Sequence, residues 1–538
     1  MIARSCGVAR SYRPIVRDQV FLLPPDMADW LPDKHLVWFI LDVVDQLDTA
    51  EFHACRKTGG VGRKGYDPDM LLALMIYAYS VGERSSRRIE QLCVDHVAFR
   101  VLCGQDAPDH TTIARFRSAY HDAFAGLFAQ VLRLCADAGM VQVGVISIDG
   151  TKIAANGSMS ANRSHDWLAE QARRIAADVV ADADTVDAAE DAAAVGDARA
   201  GELPEQFATR HGRAANIKKA LEELQRQDAS DAKDVAADRA RIEEYLAKVE
   251  AGEPGLRRAP AGTDPVLLNE IRVRREQQRI DSVEGVRGAQ ASAVRHEAKR
   301  SLKKYQQALA DARRQVASGQ FDERTRSVRL RDERRARARE RGSRGPVVNI
   351  TDPESRLMTE GSGGGSVQGY NAQVAVSDDH IIIGVHVSQD ANDFNCWEPT
   401  LDAAQTQLAA LGKTIGLALA DTGYFTEDNL TGTVPDRLIA PGKSREVFAE
   451  ATSNPADGPP AEGLDPLDAM RHRMRQPENA ERYKRRSATV EPVIGHLKDQ
   501  TRLRRFSRRG LTAVTAELNL AAAVLNLTKL HHHIPATA

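Results

Sequence analysis

Three acidic residues carry the chemistry this sequence offers. Asp149 ends the apolar run Val145-Ile146-Ser147-Ile148 and is followed by Gly150-Thr151-Lys152. Asp421 ends Ile415-Gly416-Leu417-Ala418-Leu419-Ala420 and is followed by Thr422-Gly423-Tyr424. Glu491 lies in Thr489-Val490-Glu491-Pro492-Val493-Ile494-Gly495-His496-Leu497-Lys498. Carboxylates are hard oxygen donors, which suit Mg²⁺ or Mn²⁺ and leave open positions for water and phosphate. A pair of such ions serves phosphodiester cleavage by activating the attacking oxygen and stabilising the departing one.

The elements that must hold these residues are legible from their flanks. Residues 145–148 are short, β-branched and bounded by glycine, so they read as a buried strand, and 415–420 repeats that shape. An ionised carboxylate is not left in a sheet core without a partner, so each Asp is expected at the carboxyl tip of its strand. Neighbouring parallel strands would then bring the two together. The plainer alternative is that each Asp caps its own turn. Val490, Val493, Ile494 and Leu497 keep helical spacing, and Pro492 is tolerated in a first turn, so Glu491 is expected at the N-terminal end of an amphipathic helix. Lys498 lies two turns below it on the same face.

Together, Asp149-Gly150-Thr151, Ala420-Asp421-Thr422-Gly423-Tyr424 and Tyr483-x2-Arg486-x4-Glu491-x6-Lys498 resemble the DDE signature of bacterial insertion-sequence transposases, in the IS-four/IS-five superfamily and its eleven-eighty-two group. The family spacing has three residues between the Arg and the Glu, and this chain has four. Gly369-Tyr370-Asn371-Ala372-Gln373, Arg509-Gly510, Glu517 and Asn526 extend the match. The resemblance implies an RNase H-like catalytic core and two Mg²⁺ per site, with Mn²⁺ a substitute. Asp149 would bridge the ions, with Asp421 on one and Glu491 on the other. It further implies that Tyr483, Arg486 and Lys498 contact the terminal nucleotides, and that a homodimer bridges the two terminal inverted repeats.

The fold class is therefore α/β: an RNase H-like core, interrupted by a long helical insertion and preceded by an all-α N-terminal DNA-binding domain. The expected bounds are 1–140 for the DNA-binding domain, 141–164 for the first part of the core, 165–345 for the insertion, and 346–538 for the rest of the core with C-terminal helices. After the insertion, 370–376 and 381–387 read as a hairpin, 399–411 as a helix, and 437–440 as a last strand. His380, His386, Asp390 and Asp393 read as structural residues rather than ligands.

In the N-terminal region an arm with Leu23-Pro24-Pro25 leads into helices. Asp109 or Thr111 can cap a basic helix displaying Thr112, Arg115 and Arg117, as in a helix-turn-helix entering a major groove, with Arg84, Arg87 and Arg88 as backbone contacts. An ordinary bundle with surface arginines is the competing reading, and the family resemblance favours DNA binding here. In the insertion, Ile217, Leu221, Leu224 and then Ile242, Leu246, Val249 keep helical spacing. Its end holds ten arginines between 324 and 344, a candidate phosphate-binding segment.

Composition adds bounds. With 73 basic and 75 acidic residues in 538, net charge does not announce a polyanion partner, so local basic patches must do that work. The six cysteines form no CxxC pair, which argues against a zinc site and fits a reducing compartment. The longest apolar stretch reads as 71–81, short of a membrane span, and no signal peptide pattern is visible, so a soluble intracellular protein is expected, for which the resemblance implies the bacterial cytoplasm and double-stranded DNA as partner. Two alternatives stay open: a nuclease of the same fold that cuts without joining, and a DNA-binding regulator with a spent catalytic centre.

Overall fold

The computed structural model describes residues 26–54, 65–164, 167–171, 210–256, 258–340, 347–360, 365–432 and 435–537. The N-terminal arm, the glycine turn at 361–364, and Arg341 and Arg344 of the arginine segment lie outside them. The chain forms two compact units, one of residues 1–123 with 531–538, the other of residues 124–530.

The first unit is helical: α1 (Leu36–Gln46), α2 (Ala50–His53), α3 (Pro68–Ser80), α4 (Ser86–Asp95), α5 (Val97–Leu102) and α6 (His110–Ala119). Its core is α3, buried at every position from Leu71 to Tyr79. Pro68 occupies its first turn, and Asp67 caps it by accepting from the Asp69 amide at 2.9 Å. Ser85 and Asp109 cap α4 and α6, which pack on each other. Residues 96–109 separate them and hold α5, so the connection is longer than the three- or four-residue turn of a compact helix-turn-helix.

Helix α7 (Ala123–Asp137) leads into the second unit. Its strands are β1 (Val145–Ala154), β2 (Asn162–Ser164), β3 (Val347–Asn349), β4 (Arg356–Glu360), β5 (Gly365–Ser377), β6 (Ile382–Ser388), β7 (Leu417–Ala420) and β8 (Asp436–Ile439). Six form one mixed sheet in the order β4-β5-β1-β7-β8, with β6 also paired to β5. Strand β5 runs antiparallel to β1, β4 and β6, while β1, β7 and β8 run parallel.

The expectation that Asp149 ends its strand is corrected. The parallel pairing to β7 stops at Ser147↔Leu419, but the antiparallel pairing to β5 carries β1 on to Ala154, with Asp149 opposite Val374. Asp149 thus sits where β1 loses one neighbour and keeps the other.

The remaining helices are α8 (Arg210–Ala251), α9 (Pro265–Ser282), α10 (Ala289–Ala317), α11 (Arg326–Glu340), α12 (Trp397–Ala409), α13 (Glu427–Thr431), α14 (Ser444–Ser453), α15 (Pro466–Met474), α16 (Pro477–Asp499) and α17 (Leu511–Thr537). Helices α9 and α10 pack along each other. Helix α8 meets α9 through Tyr245, Val249, Leu268 and Ile271, and meets β3 through Ala220, Leu224 and Val348. Glu223, only 2% exposed, joins α8 to β4 by an ion pair with Arg356.

Two further elements differ from expectation. Helix α16 runs unbroken through Pro492, so Glu491 is mid-helix rather than at an N-terminus. A proline deprives the carbonyl four residues earlier of its helical donor. His380 Nε2 meets that carbonyl, Ala488 O, at 3.0 Å. The longest apolar element is α17, not 71–81: it is long and apolar enough to cross a bilayer by length and composition, but 72% of its apolar window is buried inside the protein, as in a core helix.

Candidate active site

Asp149 and Asp421 are brought together on neighbouring parallel strands. Each ties one oxygen to nearby backbone: Asp149 Oδ1 accepts from the Gly150 amide of its own strand at 2.9 Å, and Asp421 Oδ1 from the Gly423 amide of the following turn at 2.8 Å. The turn-capping expectation describes Asp421, which caps the turn Thr422–Tyr424, but not Asp149, which lies inside β1. The second oxygens converge on Arg486, whose Nη2 lies 2.9 Å from Asp149 Oδ2 and 3.7 Å from Asp421 Oδ2.

Arg486 comes from the buried face of α16, which also carries Tyr483, Val490, Val493 and Leu497. Burial opposes its charge, but Asp149, Tyr483 and Asp421 outweigh that and raise its pKa. One guanidinium faces two carboxylates, and its Nε is buried without a hydrogen-bond partner. Burial pushes the Asp149 carboxyl up to about 6, against the attraction of Arg486 and with added repulsion from Asp421 and Asp393.

The glycines of both motifs have a steric reason. A Cβ on Gly150 would stand 2.7 Å from Asp393 Oδ1, and one on Gly423 would stand 3.0 Å from both Asp393 Oδ2 and Asp421 Oδ1. Behind them, Tyr424 of the second motif is fully buried and donates its hydroxyl to Gln373 Oε1, while Gln373 Nε2 donates to Asp393 Oδ1 at 2.7 Å. Asp393, read from sequence as a structural loop acid, thus lies beside the glycines of both motifs. No sequence signal near it marks this, because its loop reaches the site through the β5 side chains Asn371 and Gln373.

The other expected site residues are placed differently. Glu491 is exposed on α16. Five residues after Arg486 is about 140° further around a helix, whereas the four-residue step of the family spacing would keep the two on one face. Among the described residues, Asp149, Asp421 and Glu491 form no group with oxygens within 4.8 Å of one another. Tyr483 is 2% exposed and packs with Leu417, Leu419, Leu438 and Met470, so it is core rather than a nucleotide contact. Arg486 is committed to the aspartates. Lys498 is half-buried.

In the first unit Thr112 is held by the Asp109 cap, its amide at 2.9 Å and its hydroxyl at 2.8 Å. Arg117 donates to the Arg84 carbonyl at 2.6 Å, and Arg115 is exposed. Among the described residues, the group whose ligand atoms do lie within 4.8 Å of one another is His53, Asp67 and Asp69. There Asp67 serves as a helix cap, and His53 Nε2 pairs with Asp69 at 3.0 Å. In the arginine segment, Arg324, Arg329 and Arg331 are paired to Asp322 and Asp332.

Residues 25–119 match a transposase domain family (DUF772), and residues 462–531, which include Arg486 and Glu491, match a transposase DDE domain family. No curated protein and no solved structure matches the chain. The two domain matches support a DDE-type transposase.

Proposed function

We propose that this chain cuts and joins DNA at the terminal inverted repeats of an insertion sequence, with Asp149 and Asp421 as the cation-holding carboxylates of a DDE transposase. The observation that carries this reading is the convergence of two aspartate oxygens on one buried arginine. One positive charge against two negative ones favours a further cation, and the donor set is all hard oxygen, which fits Mg²⁺ or Mn²⁺. A pair of such ions, when bound, supplies activation of water and then of the released 3′-hydroxyl, and stabilisation of the departing oxygen.

The protein's own part is positioning. Arg486 keeps both carboxylates turned to one point, the two glycines keep side chains out of it, and the Tyr424–Gln373 bond anchors the turn that bears Asp421. The reaction is hydrolysis followed by transesterification, with no covalent protein intermediate. The sheet order, with β6, β5 and β1 successively antiparallel and β1, β7 and β8 parallel, supports an RNase H-like core interrupted by the helices between β2 and β3. The exposed Arg115 on α6 supports phosphate contact by the first unit. The resemblance further supports Glu491 as the third catalytic carboxylate, a homodimer bridging two DNA ends, and a place in the bacterial cytoplasm.

The test uses duplex DNA carrying an element's terminal repeat and flank, with Mg²⁺ or EDTA, and compares the intact chain with Asp421→Asn. Metal-dependent nicking and joining by the intact chain alone, with binding kept in the variant, is expected. Equal cutting by both would remove Asp421 from the site. Nicking without joining would leave a nuclease, and binding without cutting would leave a regulator.

A further inference from the structure

We infer that Asp393 is a cation-binding carboxylate of the same site, alongside Asp149 and Asp421; this rests on the reading that the site takes divalent metal. Asp393 sits in the loop before α12, far in sequence from either motif. Its Oδ2 and Asp421 Oδ1 each lie 3.0 Å from the point where a Cβ on Gly423 would stand, so the two oxygens are within twice that distance of each other.

Its other oxygen is fixed. Asp393 Oδ1 accepts from Asn371 Nδ2 at 2.8 Å and from Gln373 Nε2 at 2.7 Å. Two neutral amide donors orient a carboxylate and leave its negative charge uncompensated, as outer-shell partners of ligating carboxylates do. No ion pair to Asp393 is found among the described residues.

One buried acceptor without a partner lies beside Asp393. Asn371 is 1% exposed, its amide nitrogen is aimed at Asp393, and its Oδ1 has no hydrogen-bond partner. An orphaned buried carbonyl oxygen on the residue that holds Asp393, whose other oxygen faces Asp421, is a pattern a hard cation or its water completes.

The test titrates Mn²⁺ alone into the full-length chain and follows free Mn²⁺ by electron paramagnetic resonance. The variants are Asp393→Asn, Asp393→Glu and Asp149→Asn, each checked for unchanged near-ultraviolet circular dichroism. Asn keeps the Oδ1 that accepts from Asn371 and Gln373 and removes only the charge. A ligating Asp393 predicts Mn²⁺ binding weakened at least about ten-fold in Asp393→Asn and partly recovered in Asp393→Glu. Unchanged binding in Asp393→Asn, with loss in Asp149→Asn, would overturn the role of Asp393 and leave the Asp149–Asp421 site standing. Binding unaffected by either the Asp393 or the Asp149 change, or absent from the intact chain, would overturn both.

Discussion

Replacing Asp149 with Asn should stabilise the metal-free protein at neutral pH. The carboxyl moves from an ordinary 3.8 to about 6 in the folded chain because burial disfavours its charge, and Arg486 only partly offsets that. At about 1.4 kcal/mol per pH unit, holding Asp149 ionised costs the folded state about 3 kcal/mol above pH 6. A raised carboxyl favours folding when protonated, so this contribution is complete below about pH 4, falls between 4 and 6, and is gone above 6. The variant removes the charge at all pH values. Urea unfolding in EDTA should therefore show Asp149→Asn more stable by up to about 3 kcal/mol at pH 7.5, converging on the parent near pH 4. Adding Mg²⁺ should close most of that gap, since an ion at a hundred times its dissociation constant stabilises the parent by about 2.7 kcal/mol and has lost a ligand in the variant. A variant less stable than the parent in EDTA at pH 7.5, or stabilised equally by Mg²⁺, would refute the reasoning.

Arg486→Met leaves two carboxylates facing each other with no cation. It should cost about 3–5 kcal/mol in EDTA at pH 7.5, with part of the loss recovered at pH 5, read by the same unfolding curves. Glu491→Gln, by contrast, changes an exposed group away from the buried pair, so metal-free stability should stay within about 0.5 kcal/mol while repeat-end cleavage is lost. Gly384→Ala places a Cβ 2.7 Å from the Ala404 backbone nitrogen of α12, where no flexible side chain can give way. Thermal unfolding should show about 1–3 kcal/mol of destabilisation without loss of DNA binding.

What the sequence displayed was whatever local pattern encodes. The strand-Asp-glycine repeats at 149 and 421, the β5–β6 hairpin and the Asp109 cap each depend on neighbours a few residues away. What it hid depended on distant partners. The run of β1 past Asp149 is set by β5, more than two hundred residues on. Helix α16 passes through Pro492 with the freed carbonyl of Ala488 met by distant His380, so a rule about prolines in first turns misplaced Glu491. The family resemblance makes Arg486 a DNA contact, yet its position on the buried face of α16 turns it to the aspartates. Asp393 offered no periodic or motif signal, since only the folded sheet brings its loop beside Gly150 and Gly423.

The most direct test is the anomalous scattering of Mn²⁺ in crystals of the intact chain. The account predicts a peak bonded to oxygens of both Asp149 and Asp421. A peak confined to His53, Asp67 and Asp69, or an ion that touches neither aspartate of the sheet, would contradict it.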